Sequence, residues 1–340
     1  MRLIKLQVDN LLGLFLPLVV ATAFSCDKGE FIVLEPGPEP TSSLPDTVSV
    51  IMEPGNDPRL PDPQPDLDGK LTFSPYADLS FEHQSAAVYD RYAFFVRNGR
   101  GTIRLFDMDR KSKIYTLSLG AGDLGIYHSN QSSFGIEKYE PSDFFPLLYI
   151  SQRPRSNKRC FTEVFRIIPL FNADSTLLAF RTELVQEIYF PPMTEQNSLG
   201  NVNAVIDGKT GWLYTYSRNN VSTDSNYGQC KISRFAIPDV HQKEVYLEDT
   251  DIESSFMIDA KATNMQGGCI VNDSLYIGQG YPAAGSVYLN VVDLQKQKLV
   301  KRYDLMAKGI DWEPEGCFYY DGNVMLTHTD AICRVEEEED

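Results

Sequence analysis

Histidine and tryptophan are scarce in this 340-residue chain, which has four of the first and two of the second. The Gly-x-Ser-x-Gly turn that carries the nucleophile of α/β-hydrolases is absent. No stretch shows a convincing helical period, so a helical fold is not expected. These absences make an enzymatic function the less favoured interpretation.

Positive charge is also in short supply. Lysine and arginine number 31 against 47 aspartates and glutamates, and the formal net charge is −16. Much of the excess lies at the flanks, because 27–70 has ten acidic and three basic residues and 336–340 is entirely acidic. A chain without a basic patch, with flanks that repel phosphate, is not expected to bind nucleic acid.

The apolar run Leu11–Phe24 is short and contains a proline, so it cannot span a bilayer core of ~30 Å. Arg2 and Lys5 precede this run, and Cys26 follows it. This order is typical of a bacterial lipoprotein signal. We therefore expect 1–25 to be removed and lipid on Cys26 to hold the chain to a membrane. The alternative is an ordinary secretory signal with an incidental cysteine.

Nine prolines lie between Pro36 and Pro65, among acidic residues and few large apolar ones. Such a composition cannot bury enough surface to fold and favours extended conformations. We expect 26–70 to be a semi-rigid tether. A disordered segment without a spacing role is the alternative.

Beyond Lys70 one pattern recurs five times, with copies that begin near residues 84, 130, 203, 268 and 316. Each copy has a polar or small-residue entry, a short apolar strand, a turn, an aromatic-rich strand and an alternating strand. Alternation with period two, as in Thr102–Asp107, indicates β-structure.

Four strands per copy, repeated every roughly 45–70 residues, predict an all-β propeller over 71–340. The fifth copy lacks its outer strand, and Leu71–Phe81 can supply that strand and close the ring. We predict five blades. The long second copy, with Leu177–Phe190 beyond its third strand, leaves six or seven open.

Besides Cys26 the chain has five widely spaced cysteines, which match neither a zinc motif nor a small disulfide framework. Cys269 and Cys317 occupy the same place in consecutive inner strands, where a small apolar residue packs well. Buried thiols are the favoured interpretation, and a bridge between these two is the alternative.

The first residues of each inner strand should face the central channel of a propeller. These positions are polar, and they are the candidate ligand-binding residues: Gln84, Asn130, Asn203, Gln266 and Glu315. Amide oxygens with one carboxylate suit a hard cation, so we predict calcium as a candidate cofactor, with Glu315 as its charged ligand. A wet channel lined by polar groups is the alternative.

His128 stands two residues before Asn130, and His83 and His328 stand near two other blade ends. Converging imidazoles can act as a base or bind a transition metal. We therefore add His128 to the channel candidates, against the alternative that each histidine bonds a loop carbonyl. The entries do not offer the paired acids that glycoside hydrolysis needs.

Glu313-Pro314-Glu315-Gly316 is similar to the Glu-Gly entries of inner strands in the gluconolactonase and strictosidine-synthase class of propellers. This resemblance implies that the acid faces the channel and can bind a metal. The whole of 26–335, with the runs His128–Tyr139 and Phe145–Ser151, resembles the uncharacterised β-propeller lipoproteins of Bacteroidetes. That resemblance implies a cell-envelope protein of the outer membrane, facing the periplasm or the cell surface.

Three functions follow as hypotheses, of which the third is a purely structural component of the cell envelope. The first is a lipid-anchored, non-enzymatic module whose loop face binds a protein or a glycan. The second is a calcium-dependent hydrolase or lactonase with its site in the channel around Glu315.

Overall fold

The computed structural model describes residues 71–97, 101–119, 129–152, 159–172, 177–192, 202–219, 223–261, 264–328 and 330–337. This part of the chain contains 21 strands and three short 3-10 helices, at Asp249–Asp251, Pro282–Ala284 and Met306–Lys308. No helix within these ranges is long and apolar enough to cross a bilayer. The prediction of an all-β fold is confirmed.

The strands form five separate sheets, each made almost entirely by consecutive segments of the chain. The first blade comprises β2 (Ser85–Tyr89), β3 (Tyr92–Val96), β4 (Thr102–Asp107) and β5 (Ser112–Ser118). The second comprises β6 (Gln131–Phe134), β7 (Leu148–Gln152), β8 (Phe161–Phe171) and β9 (Leu177–Tyr189). The third comprises β10 (Asn203–Ile206), β11 (Leu213–Arg218), β12 (Gln229–Phe235) and β14 (Ser254–Lys261).

The fourth blade comprises β15 (Met265–Val271), β16 (Ser274–Tyr281), β17 (Ser286–Asp293) and β18 (Lys298–Asp304). The fifth comprises β19 (Gly316–Tyr320), β20 (Asn323–His328), β21 (Ala331–Glu337) and β1 (Leu71–Asp78). The inner strands contact one another in a closed cycle, β2 to β6 to β10 to β15 to β19 and back to β2. Five blades are therefore confirmed, and six or seven are not needed.

Alternation along each strand supplies both faces of a blade with apolar side chains. In β3, Phe94 and Val96 join the cluster between the first and second blades. Ala93 and Phe95 point the other way, into the cluster between the fifth and first blades. Similar clusters fill the remaining three interfaces between neighbouring blades. Since a blade is apolar on both faces, it is stable only between two neighbours.

The strand β1 closes the ring, as the sequence predicts. It pairs antiparallel with β21, from Leu71 opposite Glu337 to Asp78 opposite Ala331. Leu71 is 4 % exposed and packs in the cluster between the fourth and fifth blades. The fifth blade is thus assembled from two ends of the described chain, which leaves no blade open.

The second blade is larger than the others. Its strands β8 and β9 form a long hairpin, and β9, over Leu177–Tyr189, is the fourth strand of this blade rather than the start of another. A fifth strand, β13 (Glu244–Tyr246), pairs with β9 in parallel although it lies between strands of the third blade in the chain. The extra residues of the second copy therefore enlarge one blade.

Candidate functional site

The five polar positions predicted at the blade entries lie at or next to the first residue of an inner strand. Gln84, Asn130 and Glu315 immediately precede β2, β6 and β19, Asn203 begins β10, and Gln266 is the second residue of β15. Four of them are nearly inaccessible to solvent, while Asn130 is partly buried. They share one end of the propeller because the inner strands run in the same direction.

Four side chains at this end form a connected hydrogen-bond network, which we call the entry cluster: Gln84, Gln266, Glu313 and Glu315. The amide of Gln84 donates to Oε2 of Glu315. The amide of Gln266 donates to Oε1 of Glu313. The two glutamates hydrogen-bond to each other, so the cluster joins the first, fourth and fifth blades.

The carboxyl pair changes the charge of the entry cluster. Burial, reinforced by the neighbouring carboxylate of Glu313, raises the pKa of Glu315 to about 9. Burial also raises the pKa of Glu313. Ionising both carboxyls of such a pair costs free energy, because two negative charges would lie in contact away from water. Glu315 therefore holds a proton at neutral pH. The pair therefore presents one hydroxyl donor together with carboxylate acceptors.

Glu313, which the prediction of the blade entries left out, places a second acid against Glu315. Its contact with Glu315 is nevertheless closer than the roughly 5–9.5 Å separation of glycosidase carboxyls. The pair can share a proton or bind a cation, but it leaves no room for a sugar between its two members.

Several buried amide oxygens at the same end have no hydrogen-bond partner among the described residues: Asn130 Oδ1, Asn203 Oδ1 and Gln266 Oε1. The nitrogen of Asn203 donates to the carbonyl of Met265, beside Gln266, at 3.1 Å. A buried acceptor without a donor is costly, and a cation would satisfy it. No group of three or more His, Cys, Asp or Glu side chains that suits a metal occurs among the described residues.

The predicted candidates thus come together only in part. Gln84, Gln266 and Glu315 lie in the entry cluster. Asn203 is next to it, because it donates a hydrogen bond to the carbonyl of Met265, the residue before Gln266. Asn130, which precedes β6 of the second blade, is not part of the entry cluster. His128 lies outside the described residues. Of the other histidines, His83 contacts Thr327 and His328 contacts Asp330, and neither of these contacts is with the carboxyl pair.

Gln131 is a residue that the sequence reasoning missed. Its Oε1 accepts from the backbone nitrogen of Gly268 at 2.7 Å, and its Nε2 donates to the carbonyl of the same residue at 2.8 Å. These bonds connect the second blade to the fourth across the propeller axis. The hydroxyl of Tyr216 lies alongside, 3.1 Å from Gln131 Oε1 and 2.6 Å from the carbonyl of Gln266. The sequence offered one signal for this role, since Gln131 is a polar residue in an inner strand and follows Asn130.

A concave site lies at the opposite end of the first and second blades, where β2 and β8 end. We call it the aromatic pocket; it has a volume of about 890 Å³ and is lined by Tyr89, Asp90, Lys138, Ser142, Asp143, Phe144, Ile168, Pro169 and Phe171. Phe144 is 48 % exposed and Phe171 is 55 % exposed. Such exposure of large apolar side chains beside a cavity is typical of a binding site.

The polar side of the aromatic pocket is held rigidly. Arg166 donates from Nη2 and Nε to the carboxylate of Asp143, at 2.7 and 2.9 Å. This ion pair lowers the pKa of Asp143 against the opposing effect of burial. Phe144 packs edge-on against Phe145, with ring centroids 4.7 Å apart. In the loop between β6 and β7, both chain neighbours of Phe144 thus make contacts that help to position its ring.

No protein-family model matches the chain, and no curated protein matches it. Among solved structures, glutaminyl cyclase of Myxococcus xanthus is similar over 80 % of this chain and 99 % of its own, with 10 % identity and a TM-score of 0.43. A luciferin-regenerating enzyme is similar over 76 % of this chain and 73 % of its own, with 10 % identity and a TM-score of 0.35. The designed protein Ika8 is similar over 74 % of this chain and 57 % of its own, with 11 % identity and a TM-score of 0.31. Similarity at this level carries no functional argument.

Proposed function

We propose that this chain is a lipid-anchored propeller of the bacterial cell envelope that binds a protein or glycan partner. The observation that carries the binding role is the aromatic pocket, because it is open to solvent, whereas three of the four side chains of the entry cluster are buried and Glu313 is only partly exposed. Glu315 is only 6 % exposed and Gln266 only 5 %. A ligand larger than an ion or a water molecule therefore has access to the aromatic pocket first.

A protein that presents an apolar side chain is the favoured partner. Phe144 and Phe171 offer exposed apolar rings, and neither carries a hydroxyl with which to orient a sugar. Lys138 and Asp90 add one positive and one negative group at the rim, which suits a polar peptide backbone flanked by charges. Aromatic anchors of this kind supply much of the free energy at protein interfaces.

Cross-linking of the full chain in envelope preparations tests this proposal. A lysine-reactive cross-linker should join Lys138 to one partner and should not join Lys298, an exposed lysine of the fourth blade, to the same protein. The double variant Phe144→Ala with Phe171→Ala should lose the cross-link. Tyr319→Ala, which removes an aromatic ring of 44 % exposure from the fifth blade, should keep it. An unchanged cross-link in the double variant contradicts the proposal, and binding to a glycan array alone identifies a glycan ligand instead.

The anchor has a separate test. If Cys26 carries lipid, Cys26→Ser moves the protein from the membrane fraction to the soluble fraction, and the mature chain no longer begins at residue 26. A chain that stays with membranes after Cys26→Ser contradicts the lipoprotein proposal without affecting the binding proposal.

The second candidate is a calcium-dependent hydrolase or lactonase with its site in the entry cluster. The unpartnered oxygens of Asn203 and Gln266 beside a carboxyl pair favour it. A divalent cation would compete with the proton on Glu315, so binding would release about one proton and would tighten as pH rises. Calorimetric titration of the full chain with calcium in two buffers of different ionisation enthalpy measures both effects. The absence of heat with wild type, or an identical titration of Glu315→Gln, contradicts this candidate.

A further inference from the structure

Two cysteines face each other across the interface between the fourth and fifth blades. Cys269 lies on β15 and Cys317 on β19, and both belong to the apolar cluster of that interface. Their Sγ atoms are 3.3 Å apart. Since the two sulfurs of a disulfide are about 2.0 Å apart, a shift of little more than 1 Å separates the thiol pair from a bond.

The backbones of the two inner strands approach closely beside this pair. A Cβ added to Gly267 would lie 2.6 Å from the Cα of Gly316 and 2.8 Å from the nitrogen of Cys317. Only glycines permit such an approach, and they stand just before each cysteine. This close approach of the two backbones favours the short Cα–Cα distance that a disulfide requires.

We infer that Cys269 and Cys317 form a disulfide bond when the chain folds in an oxidising compartment. The two thiols lose two protons and two electrons, and one S–S bond forms. The oxidant is a disulfide, either of a small thiol or of an oxidase, which is reduced to two thiols. The bond joins the inner strands of the fourth and fifth blades, and it is independent of the ligand of the propeller.

The burial of the pair determines when the bond forms. Cys317 is 1 % exposed and Cys269 is 9 % exposed, and burial raises the pKa of the Cys317 thiol. Exchange proceeds through the thiolate, which needs access to the oxidant. The bond therefore forms before the fourth and fifth blades pack together, and the finished interface protects it from reductants.

Cys230 and Cys333 are the natural controls. Cys230 is fully buried, and its sulfur has a contact of 4.0 Å to the carbonyl of Lys231. Cys333 is partly exposed on β21. Neither has a sulfur-to-sulfur contact in the described residues, so neither should be cross-linked.

Peptide mapping of the full chain tests the inference directly. The protein is refolded with oxidised glutathione, its free thiols are blocked with N-ethylmaleimide, and it is digested with trypsin. Cys269 lies in the peptide 262–296, and Cys317 and Cys333 share the peptide 309–334. Cyanogen bromide cleaves after Met325 and separates the latter two. A bond between the fragments that carry Cys269 and Cys317 is expected. Blocked thiols at both positions, or a bond to Cys333, would overturn the inference.

Thermal unfolding of variants gives a second test. The oxidised protein should melt roughly 5–10 °C above the same protein refolded with reductant, since the bond closes a long loop. Cys230→Ala should keep this difference while lowering both melting temperatures. Cys269→Ala and Cys317→Ala should abolish the difference. A difference that survives in both of these variants contradicts the assignment, and the peptide map of wild type decides if either variant fails to fold.

Discussion

Nε2 of His83 lies 2.7 Å from Oγ1 of Thr327, although the two residues are 244 positions apart in the chain. His83 precedes β2 of the first blade and Thr327 belongs to β20 of the fifth, so the contact crosses the interface between these two blades. The imidazole is 3 % exposed, and its ring centroid is 4.9 Å from that of Phe95. Burial lowers the pKa of His83 to about 3, so the ring stays neutral in the fold.

This neutral histidine should make the fold sensitive to acid. The unfolded chain protonates His83 near pH 6.5 and the folded chain only near pH 3, so the unfolded state gains protons between these values. The free energy of unfolding should therefore fall with decreasing pH, by at most about 1.4 kcal/mol per pH unit from this residue. In urea titrations, His83→Gln should flatten this dependence, whereas the exposed His241→Gln should leave it unchanged. Equal slopes in all three proteins contradict the assignment.

Glu315 should have the opposite effect. Its raised pKa keeps a proton on the folded chain up to about pH 9, while the unfolded chain loses this proton near pH 4.5. Stability from this residue is therefore present below pH 4.5 and declines as pH rises toward 9, by up to about 1.4 kcal/mol per pH unit. Glu315→Gln removes the titrating group, so its melting temperature should exceed that of wild type at pH 8.5. Glu253→Gln, a change outside the cluster on the third blade, should behave like wild type.

Gly267 should not tolerate a side chain. A Cβ at this position meets the backbone of the fifth blade at 2.6–2.8 Å, and backbone cannot move aside as a flexible side chain does. Gly267→Ala should destabilise the protein by about 1–3 kcal/mol, measured by chemical denaturation. Gly208→Ala is the matched control, because nothing lies within 4 Å of its added Cβ. A neutral Gly267→Ala would show that the inner strands of the fourth and fifth blades are further apart.

Leu71 should report on the closure of the ring. It is the first residue of β1 and is buried in the cluster between the fourth and fifth blades, whereas its neighbour Thr72 is exposed. Leu71→Ala should cost about 2–4 kcal/mol in the free energy of unfolding. Thr72→Ala, on the same strand, should cost little. Equal effects of the two changes would mean that β1 does not pack as described.

The repeat was readable from sequence because each blade is built from local hairpins with alternating apolar residues. Ala93 to Val96 pack alternately into two interfaces between blades, and the sequence shows them as a short apolar run typical of a strand that is buried on both faces. The position of β1 was predictable for a related reason, since the fifth copy lacks a strand. The strand β13 was not predictable, because three residues, Glu244–Tyr246, pair in parallel with a distant segment. So short a strand has no periodicity of its own.

The entry cluster was predictable only in outline. Gln84, Gln266 and Glu315 were found because the start of each inner strand is a fixed place in the repeat. Glu313 was missed because it precedes the strand by three residues, and only the path of the backbone brings it against Glu315. Gln131 was missed because a glutamine inside a strand is expected to face solvent, whereas here it reaches across the axis to Gly268.

The pairing of β1 with β21 has a consequence for synthesis. Ser74 donates a hydrogen bond to Glu336, 262 positions later, so the fifth blade cannot assemble until translation has passed that point. A ribosome that stalls after the fourth blade would leave an incomplete ring, in which the first and fourth blades each expose an apolar face and β1 has no partner strand. Such a product would be prone to aggregate and would be an easy target for proteases.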